Sequence, residues 1–135
     1  LHYTTKWYYN NFYGKGLMAK ITKNFTTDEM KCPCCGKCEM DEKFMANLQR
    51  VREQCGFGFK INSAYRCAEY NAKVSSNTRG QHATGQAVDV SMKDRYKRYE
   101  LLMKAIYSEY FKDIAISKTF IHLGKGNVEN GVGVY

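Results

Sequence analysis

The sequence predicts one α+β domain in which a mostly antiparallel sheet is flanked by helices. Helical and strand-like segments are interleaved along the chain, but without the regular strand–helix–strand rhythm that a parallel sheet requires. The size agrees, because 135 residues with an apolar fraction of 44% suffice for one hydrophobic core. We expect residues 18–135 to form this domain. Residues 1–17, rich in aromatic and polar side chains, are expected to be an N-terminal extension outside the core.

The first half of the domain predicts two helices around one strand. Residues 41–55 repeat apolar side chains at helical spacing, and Gly56 follows as a natural stop. Residues 57–62 alternate between apolar and other side chains, which is typical of a strand. Residues 65–74 predict a second, shorter helix.

The second half predicts a long helix and several strands. Residues 87–91 indicate a short strand, and residues 114–117 and 119–123 suit the two strands of a hairpin. The glycine-rich tail leads into a last strand. Residues 94–111 predict the long helix. The side chains predicted to form its buried stripe are Tyr99, Leu102, Met103, Ile106 and Tyr110.

The formal net charge of +8 limits the kinds of partner that the protein would bind. A basic protein attracts anions, which include nucleic acid, anionic lipid and acidic cell-wall polymer. The basic residues are scattered along the chain, which argues against a dedicated nucleic-acid groove. No run of roughly 18 apolar residues predicts a membrane span. The first residues also lack the apolar core of a signal peptide.

Cysteines are concentrated in one short segment, CPCCGKC, which holds four of the six. This tight spacing does not favour local disulfides, because disulfide geometry needs well separated Cα atoms and facing side chains. Thiolates at this spacing suit a structural zinc instead, as half of a paired CxxC motif. The thiols involved would be Cys32, Cys35 and Cys38, with Cys67 or Cys55 as a distant partner. A structural metal, a disulfide and reduced thiols all remain open.

A second candidate metal site combines His82, Asp89 and His122, which include two of the three histidines. The step from His82 to Asp89 suits a loop followed by a strand, with Gly85 permitting the bend. Asp89 can then point from one face of its strand, and His122 on another strand can point from the same face. Two imidazoles and a carboxylate are ligands typical of catalytic zinc, which keeps a fourth position for water.

The segments SAYRCAEYN, GQHATGQAVDV and TFIHL resemble the zinc D-alanyl-D-alanine peptidases. That family includes carboxypeptidases and phage peptidoglycan endopeptidases with the hedgehog/DD-peptidase fold. The resemblance covers residues 25 to about 123 and implies that His82, Asp89 and His122 bind a catalytic zinc. It also implies that Arg66 binds the substrate carbonyl or terminal carboxylate, since a guanidinium grips carboxylates bidentately. The other residues implied in the substrate pocket are Ser63, Tyr65 and Gln81.

The resemblance does not assign a general base. Relatives carry an acid three residues before the last histidine ligand or two residues after it, or a histidine five residues before it. The corresponding residues here are Thr119, Gly124 and Ser117, none of which is an acid or a histidine. The candidate base is therefore Glu129, with Glu69 and His2 as alternatives.

The expected function is that of a zinc metallopeptidase that cuts peptide bonds of bacterial peptidoglycan, at a D-Ala terminus or within the stem peptides. One catalytic zinc is expected, and the cysteines offer a second, structural one. The alternative is a catalytically weak or inactive binding module of the same fold that still holds zinc. A third hypothesis, nucleic-acid binding through the cysteines as a zinc knuckle, lacks the second half of a ligand set.

We expect a monomer whose partners are the stem peptides of peptidoglycan. Because the start of the sequence shows no signal peptide, the expected source is a phage or prophage. Such a protein is made in the bacterial cytoplasm and acts on the cell wall.

Overall fold

The structure is a computed structural model that describes residues 19–75, 80–126 and 131–134. Within these ranges the helices are α1 (Thr27–Met30), α2 (Glu42–Cys55), α3 (Ala68–Val74) and α4 (Arg95–Tyr107). The strands are β1 (Lys60–Ser63), β2 (Ala87–Ser91), β3 (Asp113–Ile116), β4 (Phe120–Gly124) and β5 (Gly131–Val134). The predicted N-terminal extension, residues 1–17, lies outside the described residues.

The five strands form one sheet in the order β1-β2-β4-β3-β5. Three neighbouring pairs are antiparallel, and only β3 and β5 run parallel. The prediction of an α+β fold with a mostly antiparallel sheet is therefore confirmed. The predicted strand at residues 87–91 and the predicted hairpin are also present. The first strand begins later than predicted, because its ladder starts where Lys60 pairs with Ser91, the last residue of β2.

The two faces of the sheet have different roles. In β2 and β4 the apolar side chains alternate with polar ones, so that one face packs into the core and the other carries Asp89 and His122. Asp89 and His122 are directly paired across the two central strands. The side chains of these strands that belong to the core are Val88, Val90, Ile121 and Leu123.

Helix α2 begins and ends as its sequence predicts. The Asp41 carboxylate accepts a hydrogen bond from the backbone N–H of Lys43, which caps the first turn. At the other end Gly56 adopts φ 74°, the left-handed conformation that favours glycine. Between these residues the helix buries Phe44 and Leu48 completely. Phe44 packs edge-on against the Phe111 ring, with 5.4 Å between the ring centroids.

The stripe predicted for α4 is only partly correct, because Leu102 and Tyr110 pack against the core but a different side of the helix is the most deeply buried. Tyr99 is 60% exposed and Ile106 is 44% exposed, whereas Leu101 and Ala105 are fully buried. Apolar residues lie on several sides of this helix, so that their spacing alone does not select the side that faces α2. The contact with α2 selects the Leu101 and Ala105 side, which leaves the tyrosines on the surface.

None of the helices in the described ranges combines the length and the apolar character needed to cross a bilayer. The sheet and α3 together position the candidate site described next.

Candidate metal centre

Three segments bring His82, Asp89 and His122 together. His82 lies in the turn before β2, Asp89 lies in the middle of β2, and His122 lies in the middle of β4. One ligand atom from each residue falls within 4.8 Å of those of the other two. All three residues are buried. The structure therefore groups the three residues that the sequence analysis singled out.

The turn that carries His82 depends on Gly85. Gly85 has φ 72°, and a Cβ atom there would collide with the backbone carbonyl of Glu39. His82 Nδ1 lies 2.7 Å from the carbonyl oxygen of Ala64. A carbonyl can only accept a hydrogen bond, so that the proton sits on Nδ1 and the Nε2 lone pair faces the site.

Asp89 is the electrostatic centre of the cluster. Its Oδ1 lies 2.8 Å from His122 Nδ1 and 3.6 Å from His82 Nε2, and its Oδ2 lies 3.5 Å from Arg66 Nη2. Burial raises the pKa of the Asp89 carboxyl, but the hydrogen bond from His122 and the interaction with the nearby His82 ring outweigh burial. The pKa is therefore well below its usual range, and the carboxylate is ionised near neutral pH.

The chemistry of this donor set fits zinc. Neutral imidazole nitrogen and carboxylate oxygen are the ligands that zinc takes in catalytic sites. The ring of His82 is fixed by an outer carbonyl, as is usual for metal-binding histidines. Asp89 Oδ1 lies 2.8 Å from His122 Nδ1 and 3.6 Å from His82 Nε2, so that both imidazoles lie around one carboxylate oxygen.

Arg66 is held against the cluster by several contacts. Its Nε donates to Ser63 Oγ at 3.0 Å, and its Nη1 donates to Asn71 Oδ1 at 3.5 Å. Its backbone N–H donates to the carbonyl of His82 at 3.1 Å, which joins the segment that carries Arg66 to the turn that carries His82. The side chain is only 16% exposed. Arg66 is therefore oriented before any ligand binds.

These groups surround a pocket of about 250 Å³. Ala115 pairs with His122 across the sheet, and its small side chain leaves space above the strand. Gln81 closes another side, and its Oε1 accepts a hydrogen bond from the backbone N–H of Gly126 at 3.0 Å. The side chains with charge or hydrogen-bonding capacity that line the pocket are Arg66, Asn71, Ser75, Gln81, His82, Asp89, Asp113 and His122.

The remaining predicted pocket residues have different positions. Ser63 supports Arg66 instead of lining the pocket. Tyr65 is buried in the core, and its hydroxyl donates to Glu39 Oε2 at 3.1 Å. Glu69, in the first turn of α3, is exposed and is not among the lining residues. Glu129 and His2 lie outside the described residues.

Asp113, at the start of β3, is the acid that the sequence analysis missed. Its Oδ2 lies 3.5 Å from His122 Nε2, and its side chain is 52% exposed at the pocket wall. Asp113 pairs with Gly124 across the hairpin, which is the position where relatives carry an acid. A Cβ atom on Gly124 would lie 3.3 Å from Asp113 Oδ2. The carboxylate therefore occupies the space beside that glycine. The hairpin register was the signal that could have identified it.

A second cluster of possible ligands lies among the cysteines. The sulfur atoms of Cys32, Cys35 and Cys67 lie within 4.8 Å of one another. The prediction that Cys38 joins them is wrong, because Cys38 is not part of this group. The turn ends where the backbone N–H of Cys32 donates to the Lys37 carbonyl, and Cys38, the next residue, packs against the core. Cys55 lies in the last turn of α2 and is not part of the cluster. Of the two candidate distant partners, Cys67 is the one whose sulfur lies beside those of Cys32 and Cys35.

Comparison with known proteins identifies the family. A family model described as peptidase M15 matches residues 23–124. A search of curated proteins finds no match. The matched range covers more than half of the chain and contains both clusters, so that this chain belongs to the peptidase M15 family. The resemblance to the zinc D-alanyl-D-alanine peptidases is therefore confirmed.

Proposed function

Because the chain belongs to a family of zinc peptidases, we propose that it hydrolyses peptide bonds in the stem peptides of bacterial peptidoglycan. The observation that carries the proposal is the convergence of His82, Asp89 and His122 beside a fixed guanidinium in one pocket. The net charge of +8 agrees with an anionic wall polymer as the partner. The site of action would then be the bacterial cell wall.

The three buried residues would hold the metal, with His82 contributing Nε2 and Asp89 a carboxylate oxygen. When bound, zinc supplies a Lewis acid that polarises the scissile carbonyl and makes the attacking water more acidic. The protein contributes fixed ligand orientation, because the Ala64 carbonyl and the strand pairing of Asp89 with His122 set the geometry in advance.

Arg66 would bind the substrate. Its three side-chain contacts use one N–H each on Nε, Nη1 and Nη2. A guanidinium has five N–H donors, so that these contacts leave two for a substrate, one on each terminal nitrogen. Two such donors match a terminal carboxylate bidentately or an oxyanion singly. Arg66 therefore orients the substrate and stabilises the negative charge that develops on its carbonyl oxygen.

Asp113 would accept the proton of the attacking water at Oδ2 and return it to the leaving amine. Two features support this role: it lines the same pocket as the three candidate ligands, and half of its side chain is exposed to solvent. A carboxylate that serves as general base typically contributes about 10²–10⁴-fold to the rate. Its presence favours an enzyme over a binding module of the same fold that lacks a base.

The test is digestion of purified peptidoglycan, with the released products identified by mass spectrometry. We expect hydrolysis that a chelator stops and zinc restores, and that the Asp89→Asn variant lacks. Asp28→Asn is the matched control, because Asp28 is an exposed aspartate that forms a surface ion pair with Lys31. Release of free D-Ala indicates carboxypeptidase action, and loss of cross-links indicates endopeptidase action.

One outcome would overturn the proposal. If the wild-type protein binds one zinc at these residues and still cuts no bond in the stem peptides, the chain is a zinc-holding binding module.

A further inference from the structure

A group of three thiols lies outside the His/Asp cluster and has no role in the proposed reaction. Cys32 and Cys35 belong to the turn after α1, and Cys67 precedes the first residue of α3. Their sulfur atoms lie within 4.8 Å of one another, although Cys67 is far from the other two in sequence. Cys32 is fully buried and Cys35 is exposed, so that the group reaches from the core to the surface.

The turn is built to hold a charged sulfur at Cys32. The backbone N–H of Gly36 donates to the Cys32 carbonyl at 2.9 Å, and Gly36 has φ 76°. This closes the turn and directs the backbone N–H groups of Cys34 and Cys35 towards the Cys32 sulfur. The backbone N–H of Cys67 approaches the same sulfur at 3.4 Å. Converging N–H dipoles of this kind stabilise negative charge.

The other cysteines provide a contrast. The Cys32 sulfur is approached by the backbone N–H of Cys67 and lies within 4.8 Å of two further sulfur atoms. Burial raises the pKa of Cys38 to about 11 and that of Cys55 to about 11. Cys67 resembles Cys32 in one respect, since its sulfur accepts a hydrogen bond from the Tyr70 N–H at 3.4 Å.

We infer that Cys32, Cys35 and Cys67 form a thiolate site for a structural zinc ion, separate from the His/Asp cluster. Zinc in structural sites is bound by thiolates in tetrahedral sets, and a C-x-x-C turn joined to a distant cysteine is a frequent arrangement. Cys34 interacts with Cys67 but is not part of the group of three sulfurs, so that three thiolate ligands are assigned. The inference does not depend on peptidase activity.

The site would brace the substrate side of the pocket. Cys67 directly follows Arg66, and the backbone N–H of Tyr65 donates to the carbonyl of Met30 at 3.0 Å. A metal that joins Cys67 to the turn after α1 would therefore hold the chain on both sides of Arg66. Its loss should weaken substrate binding more than the chemical step.

The experiment measures metal content after purification under reducing conditions. We expect two zinc ions per wild-type chain, one in Asp89→Asn and one in Cys35→Ser, which changes an exposed position. Cys38→Ser is the matched control and should retain two. With cobalt in place of zinc, the thiolate-to-cobalt absorption band should persist in Asp89→Asn and disappear in Cys35→Ser.

A second measurement uses the wild-type protein and therefore does not depend on whether the variants fold. In the wild-type protein, a chelator should increase alkylation of Cys32, Cys35 and Cys67 but leave Cys38 and Cys55 unchanged. The inference is overturned if Asp89→Asn retains no metal, or if Cys35→Ser retains as much as the wild type. It is also overturned if the isolated protein carries a disulfide among the three thiols.

Discussion

The His/Asp cluster and the thiol cluster are positioned in opposite ways. Asp89 and His122 lie on adjacent strands in the middle of a sheet, so that the strand register fixes their separation. Cys32 and Cys35 lie on one turn, so that local backbone hydrogen bonds fix theirs. The His/Asp cluster is surrounded by the Arg66 side chain and the Ala64 carbonyl, whereas the thiol cluster is surrounded by backbone N–H groups such as that of Cys67.

This difference indicates different roles. The sheet presents its cluster to a pocket, and a cation and a half-exposed carboxylate stand beside it. The turn directs its cluster to the core and to the chain next to Arg66. We therefore expect changes in the first cluster to affect chemistry and changes in the second to affect stability and substrate binding.

The largest effect is expected from Asp89→Asn. The change removes the charge that both histidines and Arg66 contact, so that zinc binding and peptidoglycan hydrolysis should both be lost. Loss of metal catalysis is worth several kcal/mol, or about 10³-fold or more in rate. Metal analysis and product release measure it. Thiol-bound metal that disappears together with this site would contradict the separation of the two clusters.

The next effect is expected from Asp113→Asn, which should lower kcat by about 10²–10⁴-fold while zinc is retained. Glu69→Gln is the matched control and should leave kcat unchanged. A sharper test is the double variant Asp113→Gly with Gly124→Asp, which moves the acid to the paired strand. The Gln81 side chain must turn aside, because its Oε1 lies 2.5 Å from a Cβ at position 124. We expect partial recovery of kcat relative to Asp113→Gly alone.

One result would assign Asp113 a different role. If Asp113→Asn loses zinc affinity in proportion to activity, its function is to orient His122 and not to accept a proton.

A smaller effect is expected from Arg66→Lys. Lysine keeps the positive charge but cannot donate from a planar fork. The loss of one charge-assisted hydrogen bond costs about 1.5–3 kcal/mol, which corresponds to about 10–150-fold in kcat/KM. Steady-state kinetics on a stem peptide measure it. An unchanged kcat/KM would mean that the guanidinium does not touch the substrate.

The smallest effect on chemistry is expected from Gly85→Ala, which acts on the turn that carries His82. The left-handed conformation costs about 1–3 kcal/mol for a residue other than glycine, and the collision with the Glu39 carbonyl adds to it. Gly56→Ala is the matched control, because Gly56 has φ 74° and no atom of the described residues lies within 4 Å of a Cβ placed there. Urea unfolding should show the larger loss for Gly85→Ala, and equal losses would contradict the tight approach to Glu39.

The sequence identified the clustered His82, Asp89 and His122 because these residue types are rare and lie in recognisable segments. It missed Asp113 because the relevant neighbour, Gly124, is a neighbour only in the hairpin register. The predicted strands at residues 114–117 and 119–123 identify the hairpin but leave one residue between them, which would place Asp113 opposite Leu123. In the observed register Ile116 pairs with Ile121, and this places Asp113 opposite Gly124.

Other misses have a different origin. The stripe of α4 was only partly correct because contact with α2, and not spacing, decides that Leu101 is buried and Tyr99 is exposed. Cys38 was wrongly grouped because spacing does not show where the turn ends. In both cases tertiary packing selected among patterns that the sequence allows equally.

The contact of His122 with two carboxylates has a consequence for the orientation of its ring. The 2.8 Å contact between Nδ1 and Asp89 needs a proton on Nδ1, whereas ligation there needs a lone pair. Asp113 lies 3.5 Å from Nε2, on the other side of the ring. In either tautomer of the neutral ring, the protonated nitrogen therefore faces a carboxylate: Asp89 when the proton is on Nδ1 and Asp113 when it is on Nε2. The register that pairs His122 with Asp89 and Asp113 with Gly124 therefore keeps this ring oriented whichever of its nitrogens carries the proton.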